Sequence, residues 1–249
     1  IVAFTDDDAI CLKVETHNSP SALDPFGGAI TGIVGVNRDI LGTGIGARPV
    51  FNTNVFCVGP SGFKGKLPEK MHHPKDLLEG VRLGVEDGGN QSGIPTVNGA
   101  VLFDESFMGK PLIFVGSGGY MPRKVTGRPI EEKAAFAGDF IYMVGGRIGK
   151  DGIHGATFSS LAMDNQMPSS VVQLGDPITQ KRMSDFLLKA RDQGLIQALT
   201  DNGAGGLSSS VGEISGLTGG ATIELAEAKS KYPGMAAWEL VVSESQERM

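Results

Sequence analysis

The chain has 249 residues, of which 40% are hydrophobic, and its formal net charge is −6. This length allows one large domain or two modest ones, with a composition ordinary for a globular protein. The negative charge and the lack of a basic stripe argue against a nucleic-acid partner. No apolar run reaches the length of a membrane span and the first residues lack a signal-peptide layout, so we expect no membrane partner.

Glycine and cysteine usage add two expectations. The 37 glycines lack the period of collagen, so we assign the excess to turns and close backbone approaches. Cys11 and Cys57 lie in apolar, strand-like runs and are expected to be buried thiols in a reducing, cytoplasmic compartment. The chain begins with Ile and ends abruptly, so we expect it to be part of a longer polypeptide.

The first half of the chain predicts alternating strands and helices. A strand at residues 9–14 leads into polar residues, and Asp24–Pro25 offers a cap and a first-turn proline to a helix that reaches Val36. A second helix is predicted over residues 74–85, with its stop at Gly88–Gly89. Three further strands are predicted over residues 49–58, 98–103 and 110–120. This alternation indicates an α/β or α+β fold.

Proline, glycine and charged residues cluster near Pro122–Glu132 and indicate a domain boundary, with expected domains at residues 1–125 and 136–249. Beyond the boundary, a helix is predicted from Pro177 to Gln193, and another after the glycines that follow Asp201. Short apolar runs predict four strands, over residues 140–144, 198–200, 221–225 and 239–242.

The stretch from Lys13 to Arg48 concentrates groups suited to chemistry. A strand delivers carboxylate, imidazole, amide and hydroxyl groups to the start of a helix, where anions are favoured. Glu15 and Asp39 suit Mg²⁺, which uses few carboxylates and keeps several waters. Asp201, at another predicted strand end before glycines, strengthens this interpretation. The alternative for each acid is a helix cap or a solvated surface charge.

Other residues could complete such a site. His17 follows Glu15 by two positions and is a candidate general base, with a hydrogen-bonded structural histidine as the alternative. Lys13 and Arg38 could hold phosphate oxygens, or could be solvated charges. The polar residues that could orient a ligand are Gln173, Glu244, Ser245 and Gln246. These residues predict a metal-assisted phosphate site with a histidine beside it.

Several long blocks of the chain resemble those of one family. They read KVETHNSPSALDPFGGAITGIVGVNRDI, GGRIGKDGIHGATFSS, VQLGDP, TDNGAGGLSSSVGEI and WELVVSESQERM. In the same order, similar blocks occur in the large (synthetase) subunit of phosphoribosylformylglycinamidine synthase of purine biosynthesis. The resemblance covers essentially the whole chain, as the first half of that synthetase. It implies an α+β fold, with a PurM-like N-terminal α/β domain followed by a PurM C-terminal-like α+β domain.

The resemblance also implies an activity and partners. ATP would phosphorylate the formylglycinamide oxygen of formylglycinamide ribonucleotide, and ammonia from a glutaminase subunit would displace the phosphate to give the amidine. A small accessory subunit is implied as well. The mate of the first domain would be the second half of the synthetase or, in a homodimer, a second copy, and we expect self-association through the sheet edge.

Carried over onto this chain, the family pattern assigns a role to each candidate. Lys13 would contact ATP, Glu15 would hold one Mg²⁺, and Asp39 would hold a second that Asp201 shares. His17 would accept a proton. The substrate would be lined by Thr16, His17, Asn18, Ser19, Arg38, Gln173, Glu244, Ser245 and Gln246. The family usually has a second histidine where this chain has Ser19, which weakens one substrate contact.

Two rival functions stay open. The first is another enzyme of the same superfamily, such as the cyclase or a selenophosphate, thiamine-phosphate or hydrogenase-maturation member. The blocks ETHN, RD and SESQER argue against it. A catalytically silent module that binds a nucleotide or serves as a scaffold is the alternative from a different class.

Overall fold

A computed structural model of the protein describes residues 1–155, 157, 172–173 and 175–249. The first part of the chain is built on five strands: β1 (Val2–Ala3), β2 (Asp8–Thr16), β3 (Arg48–Val58), β4 (Thr96–Phe103) and β5 (Leu112–Pro122). They form one sheet with the order β1-β2-β5-β3-β4. Strand β5 pairs antiparallel with both β2 and β3, whereas β3 and β4 are parallel.

Three helices follow from this part of the sequence: α1 (Asn18–Leu23), α2 (Pro25–Leu41) and α3 (Pro74–Ser92). Asp24 caps α2 by accepting a hydrogen bond from the backbone N–H of Gly27 at 2.9 Å, and Pro25 occupies its first turn, as predicted. Helix α2 packs on the sheet and against α3. The core between them consists of fully buried apolar side chains such as Ala29, Ile33, Val81, Ile113 and Val115.

The other face of the sheet is apolar and exposed. Ile10, Leu12 and Val14 alternate along β2 with residues that face α2, and all three are exposed. Tyr120 lies on the same face, since it is paired with Ile10 in register. The surface open to a partner is therefore this face, in addition to the strand edge that the sequence indicated.

Past the sheet, a short hairpin of β6 (Lys124–Val125) and β7 (Arg128–Pro129) leads to the second part of the chain. Its described helices are α4 (Pro177–Asp192), α5 (Gly206–Ser215) and α6 (Ala237–Val242). In the described residues beyond the hairpin, β structure is limited to the bridges Gly145–Arg248 and Ile148–Ser230. Short 3₁₀ turns occur at Glu105–Phe107 and Leu225–Glu227.

The four strands predicted in the second part are wrong. Residues 140–144 and 198–200 are irregular, as are residues 221–225 up to the 3₁₀ turn. Residues 239–242 lie in α6, because the Glu239 carboxylate accepts a hydrogen bond from the backbone N–H of Ala236 at 2.8 Å and so starts a helix. Short apolar runs do not distinguish strand from helix or loop without a pairing partner.

Two glycines in α3 were also misinterpreted. The helix continues through Gly88 and Gly89 and ends at Gly93, whose φ of 68° is left-handed. A Cβ on Gly88 would lie 3.1 Å from the Ile33 side chain, so this glycine permits the close contact of α3 with α2. The predicted helix end at Val36 is likewise too early, since α2 continues to Leu41.

Cys11 and Cys57 are buried free cysteines, as predicted. No helix in the described ranges is long and apolar enough to span a membrane.

Candidate functional site along helix α2

One face of α2 carries glycines at helical spacing, and predicted site residues lie against it. A Cβ on Gly32 would lie 3.2 Å from the His17 side chain. A Cβ on Gly35 would lie 3.2 Å from Oε1 of Gln246. Residues three and four positions apart share a helix face, so these glycines let side chains from other segments approach the α2 backbone in a row. In the sequence, the signal for this arrangement was the spacing of the glycines between the Asp24 cap and Asp39.

The C-terminal end of this face gathers five charged residues. Lys13 and Glu15 lie two positions apart on β2 and therefore point to the same side of the sheet. The Lys13 ammonium donates a hydrogen bond to the Asp39 carboxylate and lies 4.0 Å from the Glu15 carboxylate. Arg38 Nε lies 2.8 Å from Oδ2 of Asp201, which comes from the loop before α5. The predicted metal and nucleotide residues thus lie together.

Electrostatics at this end are dominated by negative charge. Burial raises the pKa of Glu15, the nearby carboxylates of Asp39 and Asp201 raise it further, and Lys13 and Arg38 oppose them. Burial lowers the pKa of Lys13, but its hydrogen bond to Asp39 and the surrounding acids raise that pKa above its ordinary value overall. The two cations therefore do not fully neutralise the three carboxylates.

The predicted Mg²⁺ ligands are not closed into a metal cage. Within the described part of the chain, no three His, Cys, Asp or Glu side chains are close enough together to hold a metal ion. Asp39 is paired with Lys13 and Asp201 with Arg38 instead. The donor chemistry still fits Mg²⁺, because this ion takes one or two protein carboxylates and completes its shell with water and phosphate. A divalent cation would also offset the like charges that add to the effect of burial on the pKa of Glu15.

His17 lies at the buried end of the same face. It is 7% exposed and precedes α1, and its backbone N–H donates a hydrogen bond to the carbonyl of Ile113 at 2.8 Å. Burial lowers its pKa to about 4, although a hydrogen bond with the backbone of Gly28 acts in the opposite direction. Its Nδ1 has no hydrogen-bond partner among the described residues. A neutral imidazole with a free ring nitrogen is the form that can accept a proton.

The neighbours of His17 are not equally available to a ligand. Thr16 is exposed at the end of β2. Asn18 Oδ1 accepts a hydrogen bond from the backbone N–H of Ile113 at 2.7 Å, so this side chain fastens α1 to β5. Ser19 is 3% exposed. Asn18 therefore has a structural contact that its motif alone did not reveal.

Polar residues from the second part form a hydrogen-bonded chain beside α2. Gln173 donates to the carboxylate of Glu244, and the Gln246 amide donates to Oε1 of Gln173. The backbone N–H of Gly205 donates to Glu244 at 2.9 Å. Arg38 joins the chain to α2, since its Nη1 donates to the carbonyl of Gln246 at 3.2 Å. The structure thus unites these predicted substrate residues with Arg38.

Ser245 is held by residues that are not among the predicted site residues. The Ser245 hydroxyl donates a hydrogen bond to Asp151 at 2.8 Å, and the backbone N–H of Glu244 donates to the Asp151 carbonyl at 3.1 Å. Lys231 Nζ lies 2.5 Å from the same Asp151 carboxylate. The only signal for Asp151 was its place in the glycine-rich block GGRIGKDGIHG. Asp151 is a positioning residue for the 244–246 segment.

Comparison with known families assigns both parts of the chain. The model for the AIR synthase related protein, N-terminal domain, matches residues 1–121, and that for the corresponding C-terminal domain matches residues 137–249. The chain belongs to the AIR synthase related family. Its fold class is α+β, with the sheet and helices of the first part followed by the second part's helices.

Individual relatives share one name. Phosphoribosylformylglycinamidine synthase subunit PurL of Thermoplasma volcanium is 39% identical over 100% of this chain, which spans 32% of that relative. The PurL subunit of Salinibacter ruber is 38% identical, again over 100% of this chain and 32% of the relative. The chain thus spans about a third of the length of the curated relatives it matches.

Solved structures give the same result. Thermotoga maritima PurL complexed with FGAR superposes with a TM-score of 0.84 and 32% identity, over 99% of this chain and 38% of that one. The same protein complexed with ATP gives a TM-score of 0.77 and 29% identity, over 99% of this chain and 36% of that one. These proteins are similar to this chain in both sequence and fold.

Proposed function

We propose that this chain carries the ATP-dependent ligase site of a phosphoribosylformylglycinamidine synthase. In this reaction, formylglycinamide ribonucleotide (FGAR), ammonia and ATP give the amidine, ADP and phosphate in purine biosynthesis. The observation that carries the proposal is the row of His17, Gln246, Arg38 and the acidic cluster along one face of α2. The matching relatives that bind FGAR and ATP support it.

The acidic end of α2 would receive the nucleotide. Glu15, Asp39 and Asp201 are the residues that would hold Mg²⁺, which neutralises charge on the transferring phosphoryl group when bound. Lys13 would turn to the phosphates of ATP, exchanging one oxyanion partner for another. The close grouping of the three carboxylates supports this role: burial raises the pKa of Glu15 and the charges of Asp39 and Asp201 raise it further, and a cation would offset those charges.

Two steps account for the chemistry. The amide oxygen of FGAR takes the γ-phosphoryl group of ATP, ADP leaves, and the amide N–H loses its proton. Ammonia then forms a bond to the amide carbon, the bond between that carbon and the phosphorylated oxygen breaks so that phosphate leaves, and the added nitrogen loses a proton. His17 is the proposed proton acceptor, because burial keeps its imidazole neutral and its Nδ1 is free of protein partners in the described residues.

The remaining polar residues would position FGAR. Thr16, Asn18 and Ser19 flank His17, whereas Gln173, Glu244, Ser245 and Gln246 approach from the second part of the chain. Arg38 lies between the two groups. It uses Nε toward Asp201 and Nη1 toward the carbonyls of Asn202 and Gln246, so it orders this side of the pocket as well as contacting substrate.

Partners follow from the same family. A structure of Thermotoga maritima PurLQS matches this chain with a TM-score of 0.72, which supports a glutaminase subunit and a small accessory subunit as partners. The exposed apolar face of Ile10, Leu12 and Val14 would pack against the second half of the synthetase or a second copy. Sedimentation of this chain without the second half of the synthetase should show self-association that Leu12→Ser weakens, and a monomer at all concentrations would contradict this.

The activity is tested in a synthetase that contains this chain, with ammonium chloride as the nitrogen donor so that no glutaminase is needed. We expect FGAR-dependent release of phosphate from ATP, which Glu15→Gln abolishes. Glu79→Gln is the matched control, because Glu79 is an exposed acid paired with Arg82 on α3. Heat from ATP–Mg²⁺ in calorimetry without FGAR-dependent phosphate release would instead favour the silent nucleotide-binding module. Unchanged turnover in Glu15→Gln would contradict the assigned site.

A further inference from the structure

Arg248 is a fully buried cation that follows the predicted substrate residues 244–246 in the chain. Its side chain is directed back along the chain and is 0% exposed. Its Nη2 donates hydrogen bonds to the backbone carbonyl of Ser243 at 2.6 Å and to the Ser243 hydroxyl at 3.1 Å. A single side chain therefore joins the two ends of the loop formed by residues 243–248.

Both ends of the 243–248 loop are also fixed by backbone hydrogen bonds. Ser243 directly follows α6, and its backbone N–H donates to the carbonyl of Glu239 at 3.1 Å. At the other end, the Arg248 carbonyl accepts a hydrogen bond from the backbone N–H of Asn202 at 3.2 Å. Asn202 comes directly after Asp201, a proposed Mg²⁺ ligand. The closed loop is thus attached to α6 at one end and beside the acidic cluster at the other.

Between these ends, the loop lies against α2 and the start of α5. The carbonyl of Gln246 accepts from Nη1 of Arg38 at 3.2 Å, and a Cβ on Gly35 would lie 3.2 Å from Gln246 Oε1. The Glu244 carboxylate accepts from the backbone N–H of Gly205 at 2.9 Å. Closure of the loop therefore determines where its predicted substrate residues lie.

Stability alone does not account for an arginine at this position. Burial lowers the pKa of Arg248 to about 10, although the charge of Glu247 opposes this shift. The guanidinium contacts neutral atoms, namely those of Ser243 and, at 3.7 Å, the Sδ of Met143. Taking a cation out of water costs free energy, which a hydrophobic side chain of similar size would avoid. What the guanidinium supplies instead is a fixed direction of its N–H donors.

We propose that Arg248 is a positioning residue for FGAR, because its guanidinium closes the 243–248 loop and so holds the predicted substrate residues of that loop against α2. The inference rests on the proposed function, since it takes FGAR as the ligand of this loop. Arg248 does not touch the substrate in this account but sets how tightly the substrate binds. Binding of ATP should change little, because the contact beside Asp201 is made by the backbone of Arg248 and survives a change of its side chain.

The test is the steady-state kinetics of Arg248→Met in a synthetase that contains this chain, with ammonium chloride as the nitrogen donor. Methionine fills the space with a flexible apolar side chain but removes the N–H donors. We expect KM for FGAR to rise about tenfold or more, because a hydrogen bond from a charged group is lost. The kcat and KM for ATP should change little.

Arg248→Lys is the conservative variant, because it keeps the buried charge but replaces the planar fork with a single ammonium. Its KM for FGAR should lie between the values of the wild type and Arg248→Met. If the methionine variant does not fold, an unchanged KM for FGAR in Arg248→Lys overturns the proposal.

Arg191→Met is the matched control, because Arg191 is also buried, at 5% exposed, and its Nη1 donates to a backbone carbonyl, that of Gly46. Its other hydrogen bonds go to Asp192 rather than to the 243–248 loop. This variant should lose stability without a rise in KM for FGAR.

Two results would overturn the inference alone in an active wild type. One is an unchanged KM for FGAR in folded Arg248→Met, and the other is an equal rise in Arg248→Met and Arg191→Met, which would show a general loosening of the fold. A wild type without FGAR-dependent phosphate release would instead contradict the proposed function and this inference together.

Discussion

Polar side chains lie in opposite environments, exposed or buried, at the two ends of the glycine-lined face of α2. At the C-terminal end, Lys13, Glu15 and Asp39 are partly exposed, and the Lys13 ammonium lies within ion-pair distance of both carboxylates. At the other end, His17 is buried and the pKa of its imidazole is lowered to about 4, so it is neutral. Under the proposed function, this difference would let one helix serve two tasks, since phosphate and metal need charge whereas a proton acceptor needs an unprotonated base.

The largest expected effect comes from removing the neutral base. His17→Asn keeps a buried polar side chain but removes the ring nitrogen, so kcat should fall by about 10²–10⁴-fold. Calorimetry should show little change in ATP–Mg²⁺ affinity, because the nucleotide residues lie at the other end of α2. Unchanged kcat would show that His17 takes no part in the chemistry.

The buried imidazole should also make stability depend on pH. The folded pKa of about 4 lies below the ordinary value of 6.5, so the unfolded chain binds the proton more tightly. The contribution of His17 is intact above pH 6.5 and is lost as pH falls toward 4, by roughly 3 kcal/mol in total at 1.36 kcal/mol per pKa unit.

Chemical denaturation of the wild type and His17→Asn at several pH values measures this contribution. The difference between the two proteins is the useful quantity, because burial raises the pKa of Glu15 and Glu247, whose protonation has the opposite effect on stability. Parallel stability curves between pH 4 and 6.5 would show that His17 is not buried as described.

An intermediate effect is expected at the charged end. Asp39→Asn removes one proposed Mg²⁺ ligand and should weaken Mg²⁺-dependent ATP binding about 10- to 100-fold, as for losses around other metal sites. It should also lower the pKa of Lys13, which loses its carboxylate partner, and that of Glu15, which loses a like charge. NMR titration measures both pKa values, and Asp185→Asn, at an exposed ion pair on α4, is the control.

The smallest effect concerns the glycine that separates the two ends. A Cβ in Gly35→Ala would lie 3.2 Å from Gln246 and would push that side chain away, so we expect KM for FGAR to rise several-fold with kcat little changed. Gly212→Ala is the control, because it lies within α5 with nothing within 4 Å of the added Cβ. That change should raise the free energy of unfolding by about 0.5–1 kcal/mol. Equal KM values in the two variants would show that Gly35 has no role in placing Gln246.

The sequence predicted the first part of the fold well because the signals for its helices and strands lie within each element. The Asp24–Pro25 cap and the periodic patterns gave α2, the start of α3 and the long strands. The end of α3 was missed because Gly88 can serve as a stop or as a helix contact, and only the position of Ile33 decides between them. The second-part strands failed because runs such as residues 239–242 fit several structures until their partners are known.

The sequence predicted which acids and cations lie together at the candidate site, but not which of them form ion pairs. Motifs selected Glu15, Asp39 and Asp201 from distant positions, and the structure places them around the same end of α2. No pattern in the sequence indicated that Lys13 and Arg38 neutralise two of these acids, or that Asp151 holds Ser245. Such contacts depend on side-chain placement between segments far apart in the chain.

The most direct measurement is a crystal structure of the protein with Mg²⁺ and a non-hydrolysable ATP analogue. Our account predicts metal density bound by Glu15 together with Asp39 or Asp201, with Lys13 moved from Asp39 to a phosphate. Metal and nucleotide bound elsewhere, with the Lys13–Asp39 and Arg38–Asp201 pairs unchanged, would contradict it.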